Sequence, residues 1–446
     1  MASIAADRRI YDSIDIQQYR RIVICPTNLF YNKFRMKTSE TPEFYTGAPV
    51  DPVDLRFRSA FLAELWQSLS TNHVVLTAPR RTGKTSVMDY LRQHPQNGYS
   101  VASINVQDLT HPADFFQALL DALHDAHPHF VRDQLAEGWS LLSGILSKIS
   151  EVEVGGFKLA LRGSDPNWRD NWRQHGDQFL AQARRTSIPI LFIIDEFPDM
   201  LLKLAREDEA LLGEFLGWFR AQRLSPAPSR DSIRWLIGGS VNLAGTLDSL
   251  GMVDLINDIE DVPLPPLTDD DIRAFVEDML GGRGVPFDGN VARRVIERLG
   301  RPIPLFMQLA TQDLYRLWKK EQRQLTAEDV DNVFDSLVVS SSARTRLQHF
   351  YSRIGQYYPE PKRSAAYGLL SKISVSEAGL KRETLLQETE RLQLEQGIQR
   401  PAHGSKRTFN QLLLDLENDF YVVEVAEGSY DFACGVLKLW WRKYYA

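Results

Sequence analysis

The chain has 446 residues, 43% hydrophobic and 25% charged, with a formal net charge of −6. That is globular composition with length for roughly two to four domains, and it excludes a uniformly basic nucleic-acid coat; any such contact must come from a local patch. Cys25 and Cys434 stand near opposite ends with no C-x-x-C and no His cluster of ligand spacing, which argues against zinc and a disulfide framework and fits a reducing cytoplasm.

The start, MASIAADRRIYDSID, is too polar for a signal peptide, and the longest apolar runs are too short to cross a bilayer. A soluble cytoplasmic protein with no membrane partner is expected. Residues 1–45 show weak periodicity and form an N-terminal extension, with KFRMKTSETPEF (33–44) as an irregular arm. From 46 to 262, short apolar runs alternate with helical patterns. The strand candidates are HVVLTA (73–78), YSVASINV (99–106), IPILFIID (188–195), IRWLIGGS (233–240) and a weaker run near 259–264. Helical patterns between them include 111–126 and 207–223. Continuous apolar strands separated by helices predict a parallel sheet covered on both faces.

After PLPPL (263–267) the strand signal stops. Thr268 to Asp271 has the form of a capping box and opens a helix through about Leu280. Val291, Val295 and Leu299 form a helix stripe in 288–300; further helices are expected over about 303–320 and from Thr326. Residues 263–340 read as a helical lid domain. The polar SSSARTR (340–346) marks a joint, and 341–446 holds three helical patterns and then two β-like runs in YVVEVAEGSYDF (421–432), which predicts a winged helix-turn-helix.

A triphosphate requires backbone N–H donors, a helix N-terminus and a cation, and Ala78 to Thr85 supplies them between a buried strand and a helix. The loop nearly matches G-x-x-x-x-G-K-[ST], with Ala78 at the first glycine position. Alanine forbids only strongly positive φ, and Pro79 stiffens the turn. Gly83 allows close approach of the backbone to the phosphates, Lys84 reaches the β and γ groups, and the Thr85 hydroxyl can bind Mg²⁺. The alternative is a basic loop without a ligand.

Hydrolysis also needs a carboxylate for the metal and a group to orient water. ILFIIDEF (190–197) ends in both: Asp195 for Mg²⁺ and Glu196 as the group that polarises the attacking water. The competing reading is a strand that runs into an acidic helix cap. The next strand ends in Gly238-Gly239-Ser240-Val241-Asn242, where Ser240 either senses the γ-phosphate or belongs to an ordinary turn. An arginine from another subunit or domain would further stabilise the transition state; Arg220, Arg223 and Arg234 are candidates only because they lie near this edge, and each reads rather as a solvated surface charge.

The run Ala78-Pro79-Arg80-Arg81-Thr82-Gly83-Lys84-Thr85-Ser86 resembles the phosphate loop of STAND-type ATPases, the MNS-like and archaeal-ATPase relatives of AAA+ proteins. The lead-in FYTGAPVDPVDLRFRSAFLAELWQSL (44–69) is similar too, and Arg58 matches the family's arginine near adenine. Trp168 and Trp172 precede the Walker B strand, where the family often has a tryptophan. Gly300-Arg301-Pro302 looks like the family's G-x-P module, in which the proline lies by the nucleotide; without the resemblance, Pro302 would be a helix start. The ending YDFACGVLKLWWRKYYA resembles the family's winged-helix terminus. The arginine that some STAND switches carry after the fourth strand is absent, and no repeat array or effector domain follows.

The resemblance implies an ASCE P-loop NTPase with ATP and Mg²⁺ as cofactors, held by the loop residues Ala78 to Ser86 with Arg58 and Pro302. It implies slow ATP hydrolysis that controls domain arrangement, homo-oligomerisation or binding of a partner chain, in a setting such as defence against phage. Two alternatives stand beside it: a DNA-binding AAA+ ATPase of the origin-recognition or transposition type, and an ATP-binding scaffold without turnover. For DNA, residues 405–420 would be the recognition helix, with Lys406 and Arg407 at its start. Its later turns carry Asp415, Glu417 and Asp419, which would repel DNA if they faced it. From residue 341 on, 15 Lys and Arg stand against 12 Asp and Glu, a balance of only +3. Trp440, Trp441, Tyr444 and Tyr445 read as core or interface.

Overall fold

The computed structural model describes residues 41–78, 81–126, 167–184, 188–224, 233–239, 243–339, 341–395, 397 and 404–446. Its first half is built on five strands: β1 (Val74–Thr77), β2 (Ser100–Asn105), β3 (Ile190–Asp195), β4 (Ile233–Gly239) and β5 (Glu260–Pro263). They hydrogen-bond in the order β2-β3-β4-β1-β5, every pair parallel. All five fall on the expected apolar runs. Strand β3, second in that order, is buried at every position, as unbroken apolar sequence requires of a strand with helices on both faces.

The helices of this half are α1 (Ser59–Thr71), α2 (Lys84–Gln93), α3 (Pro112–Ala126), α4 (Trp172–Arg184), α5 (Phe197–Glu207), α6 (Glu209–Leu224) and α7 (Leu243–Ser249). On one sheet face, Ile190, Phe192 and Ile194 of β3 alternate toward an aromatic core. There Phe192 stacks on Trp235 at 4.8 Å, and Phe219 of α6 meets Trp235 edge-on at 5.1 Å. Trp172 stacks on Phe116 at 6.1 Å in the same core, and Trp168 packs partly buried against it. The helix expected over 207–223 is preceded by α5, which Glu196 caps, so the strand does run into an acidic helix cap.

The second half is helical: α8 (Asp269–Val276), α9 (Asn290–Leu299), α10 (Pro304–Glu321), α11 (Ala327–Val339), α12 (Ser341–Tyr357) and α13 (Lys362–Val375). Thr268 and Asp271 form the reciprocal capping box at α8. That helix stops at Val276, short of Leu280, because the chain widens into a π turn over Glu277–Gly281. The helix-start proline is Pro304, at the first turn of α10, with Pro302 two residues ahead of it. Residues 341–346 of the polar run expected as a joint carry the first turns of α12.

The remaining elements are β6 (Leu380–Lys381), α14 (Arg382–Glu395), α15 (Gly404–Asn418), β7 (Val422–Ala426), β8 (Ser429–Phe432) and α16 (Gly435–Tyr444). The three strands pair antiparallel in the order β6-β8-β7. One apolar cluster runs without a break from Leu267 to Trp441. Trp440 and Trp441 are in it, while Tyr444 is exposed and Tyr445 packs against the cluster. The junction is tight at the backbone as well. Arg301 N–H donates to the Ala433 carbonyl at 3.0 Å, and a Cβ on Gly435 would stand 2.3 Å from the Arg298 carbonyl oxygen. No described helix is long and apolar enough to cross a membrane.

Candidate nucleotide site

The phosphate loop bends from β1 into α2. Gly83 caps α2 at φ 96°, a left-handed backbone that favours glycine. Arg81 is also left-handed, at φ 69°, whereas Ala78 is not among the positive-φ residues. Alanine at the first loop position therefore carries no backbone strain. Ser86 is buried, and its Oγ accepts the Val50 amide at 2.9 Å, which ties the lead-in segment to α2. Pro79, Arg80 and Ser240 lie outside the described residues.

Two residues 111 positions apart meet at the loop. Lys84 Nζ donates to Asp195 Oδ1 at 2.7 Å, and Thr85 Oγ1 donates to Asp195 Oδ2 at 2.8 Å. Lys84 and Asp195 are both 6% exposed, so the pair lies where water screens it little. It sits at the C-terminal rim of β1 and β3, the end of a parallel sheet where ligands bind.

Glu196 follows in a left-handed conformation (φ 60°, ψ 34°) as the N-cap of α5. A non-glycine residue there costs of order 1–3 kcal/mol, and such residues cluster at functional sites. Its N–H donates to Asp195 Oδ1 at 3.0 Å, and its side chain lines a cleft with Arg81, Gly83, Lys84 and Thr85. The same cleft is lined by Tyr45 and Gly47 to Val50 of the lead-in and by Pro304, Leu305 and Gln308 of α10. Gln308 Oε1 accepts the Tyr45 amide at 3.2 Å, and the Tyr45 hydroxyl donates to buried Asp54 at 2.7 Å.

A second, smaller cavity adjoins the first through Pro304 and holds Arg58, Thr82, Arg301, Pro302 and Phe420. Arg58 is buried, which pushes its pKa down to about 10, and its Nη1 donates to the Pro265 carbonyl at 2.7 Å. Arg58 and Pro302, 244 residues apart in sequence, thus face one space. Phe420 carries the Arg301 guanidinium 4.8 Å over its ring and has a left-handed backbone of its own (φ 61°).

The strand end after β4 is crowded. A Cβ on Gly239 would lie 2.2 Å from Pro198 Cδ, and one on Gly238 would lie 2.1 Å from Met88 Cε. The expectation of solvated arginines near this edge is corrected in two cases. Arg223 is buried and grips Asp258 at 2.7 and 2.8 Å; Arg234 is buried and donates to the Leu69 carbonyl at 3.1 Å. Arg220 bonds Asn257 at 3.0 Å.

Sequence reasoning missed the polar group behind Glu196. Asp199, one turn along α5, is buried and accepts a hydrogen bond from the Tyr357 hydroxyl of α12. Burial raises its pKa, the neighbouring Glu196 carboxyl adds to this, and the Tyr357 bond works against it. The spacing D-E-F-P-D could have flagged Asp199; nothing local could have flagged Tyr357, 158 residues away.

With this geometry in view, one family model and one solved structure agree with the fold. Residues 68–244 match the family model described as an AAA domain. The fold is that of an AAA+ P-loop NTPase. The Walker-type ATPase of Pyrococcus abyssi has the same architecture at 15% identity and a TM-score of 0.55, over 90% of this chain and 99% of that one. At such identity the likeness speaks to fold alone. The ORC2 protein of Aeropyrum pernix matches at 13% identity and a TM-score of 0.46, over 87% of this chain and 91% of that one. The RuvB Holliday junction branch migration motor of Thermotoga maritima matches at 11% and 0.38, over 87% and 96%. No curated protein matches the sequence.

Proposed function

We propose that this AAA+ chain binds ATP with Mg²⁺ in the cleft at the phosphate loop, hydrolyses it slowly, and uses nucleotide state to control the helical half of the molecule. The observation that carries the reading is the convergence of Lys84, Thr85 and Asp195 at 2.7–2.8 Å beside Glu196. Loop amides at the start of α2 would receive the phosphates, with Lys84 turning to the β and γ groups. The oxygen donors Thr85 Oγ1 and Asp195 suit a hard cation. Among the described residues no cluster of three or more His, Cys, Asp or Glu forms an all-protein metal cage, and a magnesium ion shared with phosphate oxygens needs none. When bound, that ion would neutralise charge that develops on the phosphates.

Glu196, at the cleft wall, is the group to orient and deprotonate water. The smaller cavity, lined by Arg58, Thr82 and Pro302, would take the adenine ring. Pro304, Leu305 and Gln308 line the cleft, so ligand binding would bear directly on α10 and the domain behind it. The divisions at 262 and 340, the winged-helix character of 341–446, and membership of the STAND branch belong to this same reading.

Phosphate release and ATP binding, measured on wild type, Lys84→Ala and Glu196→Gln, test it. Glu196→Gln should keep ATP and lose turnover by about 10²-fold or more, the usual size of a general-base contribution; Lys84→Ala should lose ATP. Turnover that does not depend on Glu196 would sink the assignment, and binding without turnover in wild type would favour the scaffold.

One observation supports a DNA-binding reading in addition. Two of the three carboxylates that would repel a duplex have partners within the domain: Asp415 of α15 pairs with Lys362, and Asp419, just past its end, accepts the Tyr358 hydroxyl at 2.8 Å, while Glu417 is half-buried. Lys406, Arg407, Asn410 and Gln411 remain on the exposed face. Duplex binding that weakens steeply with salt and is lost in the Lys406→Glu/Arg407→Glu variant would establish it.

A further inference from the structure

The hydrogen bond between α5 and α12 joins the proposed hydrolytic carboxylate to the second half of the molecule. Glu196 caps α5, and Asp199 sits one turn further along the same helix. The Asp199 N–H donates to the Glu196 carbonyl at 3.1 Å, and the Tyr357 hydroxyl donates to Asp199 Oδ1 from the last turn of α12. Tyr357 is itself fixed, since the guanidinium of Arg353, 5% exposed, lies 5.0 Å over its ring. Arg353 also faces Asp419 at the end of α15, so the polar chain continues into the terminal elements. A second tie holds the other end of α5, where Arg206 Nη2 donates to the Gln356 carbonyl at 3.1 Å.

We propose that Asp199 is a positioning residue for Glu196 and that Tyr357 sets its position, so hydrolysis is fast only while α12 is docked on α5. The proposal rests on the reading of Glu196 given above. The proposed phosphate contacts are on the loop and the start of α2 and not on α5, so docking should affect the chemical step and leave ATP binding unchanged. Displacement of a water-orienting group by about 1 Å is enough to cost up to 10²-fold in rate. A partner, or a second ligand, that draws α12 away would slow turnover without displacing ATP.

The test measures kcat, KM and ATP affinity for the full chain as Tyr357→Phe, Asp199→Ala, Asp199→Asn and the Tyr357→Phe/Asp199→Ala pair. Tyr357→Phe and Asp199→Ala should each lower kcat about tenfold with KM and ATP affinity unchanged. Asp199→Asn keeps an acceptor for the tyrosine and a polar group toward Glu196, and should restore most of kcat. The double variant should be no slower than Asp199→Ala alone, the signature of residues that act through one another. Wild-type turnover through Glu196 with unchanged kcat in Tyr357→Phe overturns the latch alone. The same holds if the variants only lose melting temperature and active fraction together. A wild type with no Glu196-dependent turnover overturns the latch and the functional reading at once.

Discussion

Lys84 at the start of α2 and Asp195 at the end of β3, 111 residues apart, form a buried ion pair of 2.7 Å at the rim of the sheet. Each is the other's compensation for leaving water. Removal of one partner from such a pair typically costs about 3–5 kcal/mol, because the remaining charge is left without a counter-charge. Asp195→Ala should therefore melt well below wild type in nucleotide-free buffer. The deficit should shrink on addition of ATP if phosphates take over Lys84, and differential scanning fluorimetry with and without ATP would read both.

Gly238 and Gly239 make a contrasted pair. A Cβ at Gly238 would meet the end of the Met88 side chain, which can swing aside; one at Gly239 would meet the ring of Pro198, which cannot. Gly238→Ala should stay near wild-type stability. Gly239→Ala should lose about 1–3 kcal/mol and, because Pro198 lies two residues past Glu196, also slow turnover. Urea midpoints and phosphate release distinguish the two.

The capping box at α8 gives a prediction independent of catalysis. Thr268 Oγ1 accepts the Asp271 amide at 3.1 Å, and Asp271 accepts the Thr268 amide at 2.8 Å. Thr268→Ala should cost about 1 kcal/mol, measured as a shift of the urea midpoint with ATP affinity unaltered.

Asp329 supplies a pH dependence. The Arg323 guanidinium, bonded to both its oxygens, holds its pKa at about 2, below the ordinary 3.8. A carboxylate depressed on folding contributes fully above its unfolded pKa and loses that contribution as pH falls through the folded one. The stability difference between wild type and Asp329→Asn should thus be constant above about pH 4 to 5 and vanish toward pH 2. A difference that persists below pH 2 would refute the linkage.

β1 and β3 were legible because each is an unbroken apolar run, the pattern of a sheet covered on both faces; β5, Glu260-Asp261-Val262-Pro263, showed only as a weaker run. The loop and the Asp195-Glu196 pair were legible because their chemistry is local to a strand end. Arg223 and Arg234 were misread since sequence shows a charge but not the carboxylate or carbonyl that waits for it: Asp258 is 35 residues from the one and Leu69 165 from the other. Tyr357 and Phe420 escaped for the same reason. Pro302 was found through resemblance alone; by spacing it would have been the start of a helix that Pro304 opens.

The unbroken cluster from Leu267 to Trp441 has a practical consequence. A fragment cut at residue 340 would strip Leu337, Val338 and their neighbours of the side chains that cover them, and would also lose the strand bridge between Gly300 and Cys434. Such a truncate would expose a greasy half-core and clump. Dissection of this molecule has to cut near residue 265, where the polypeptide leaves the sheet, and carry everything after that point together.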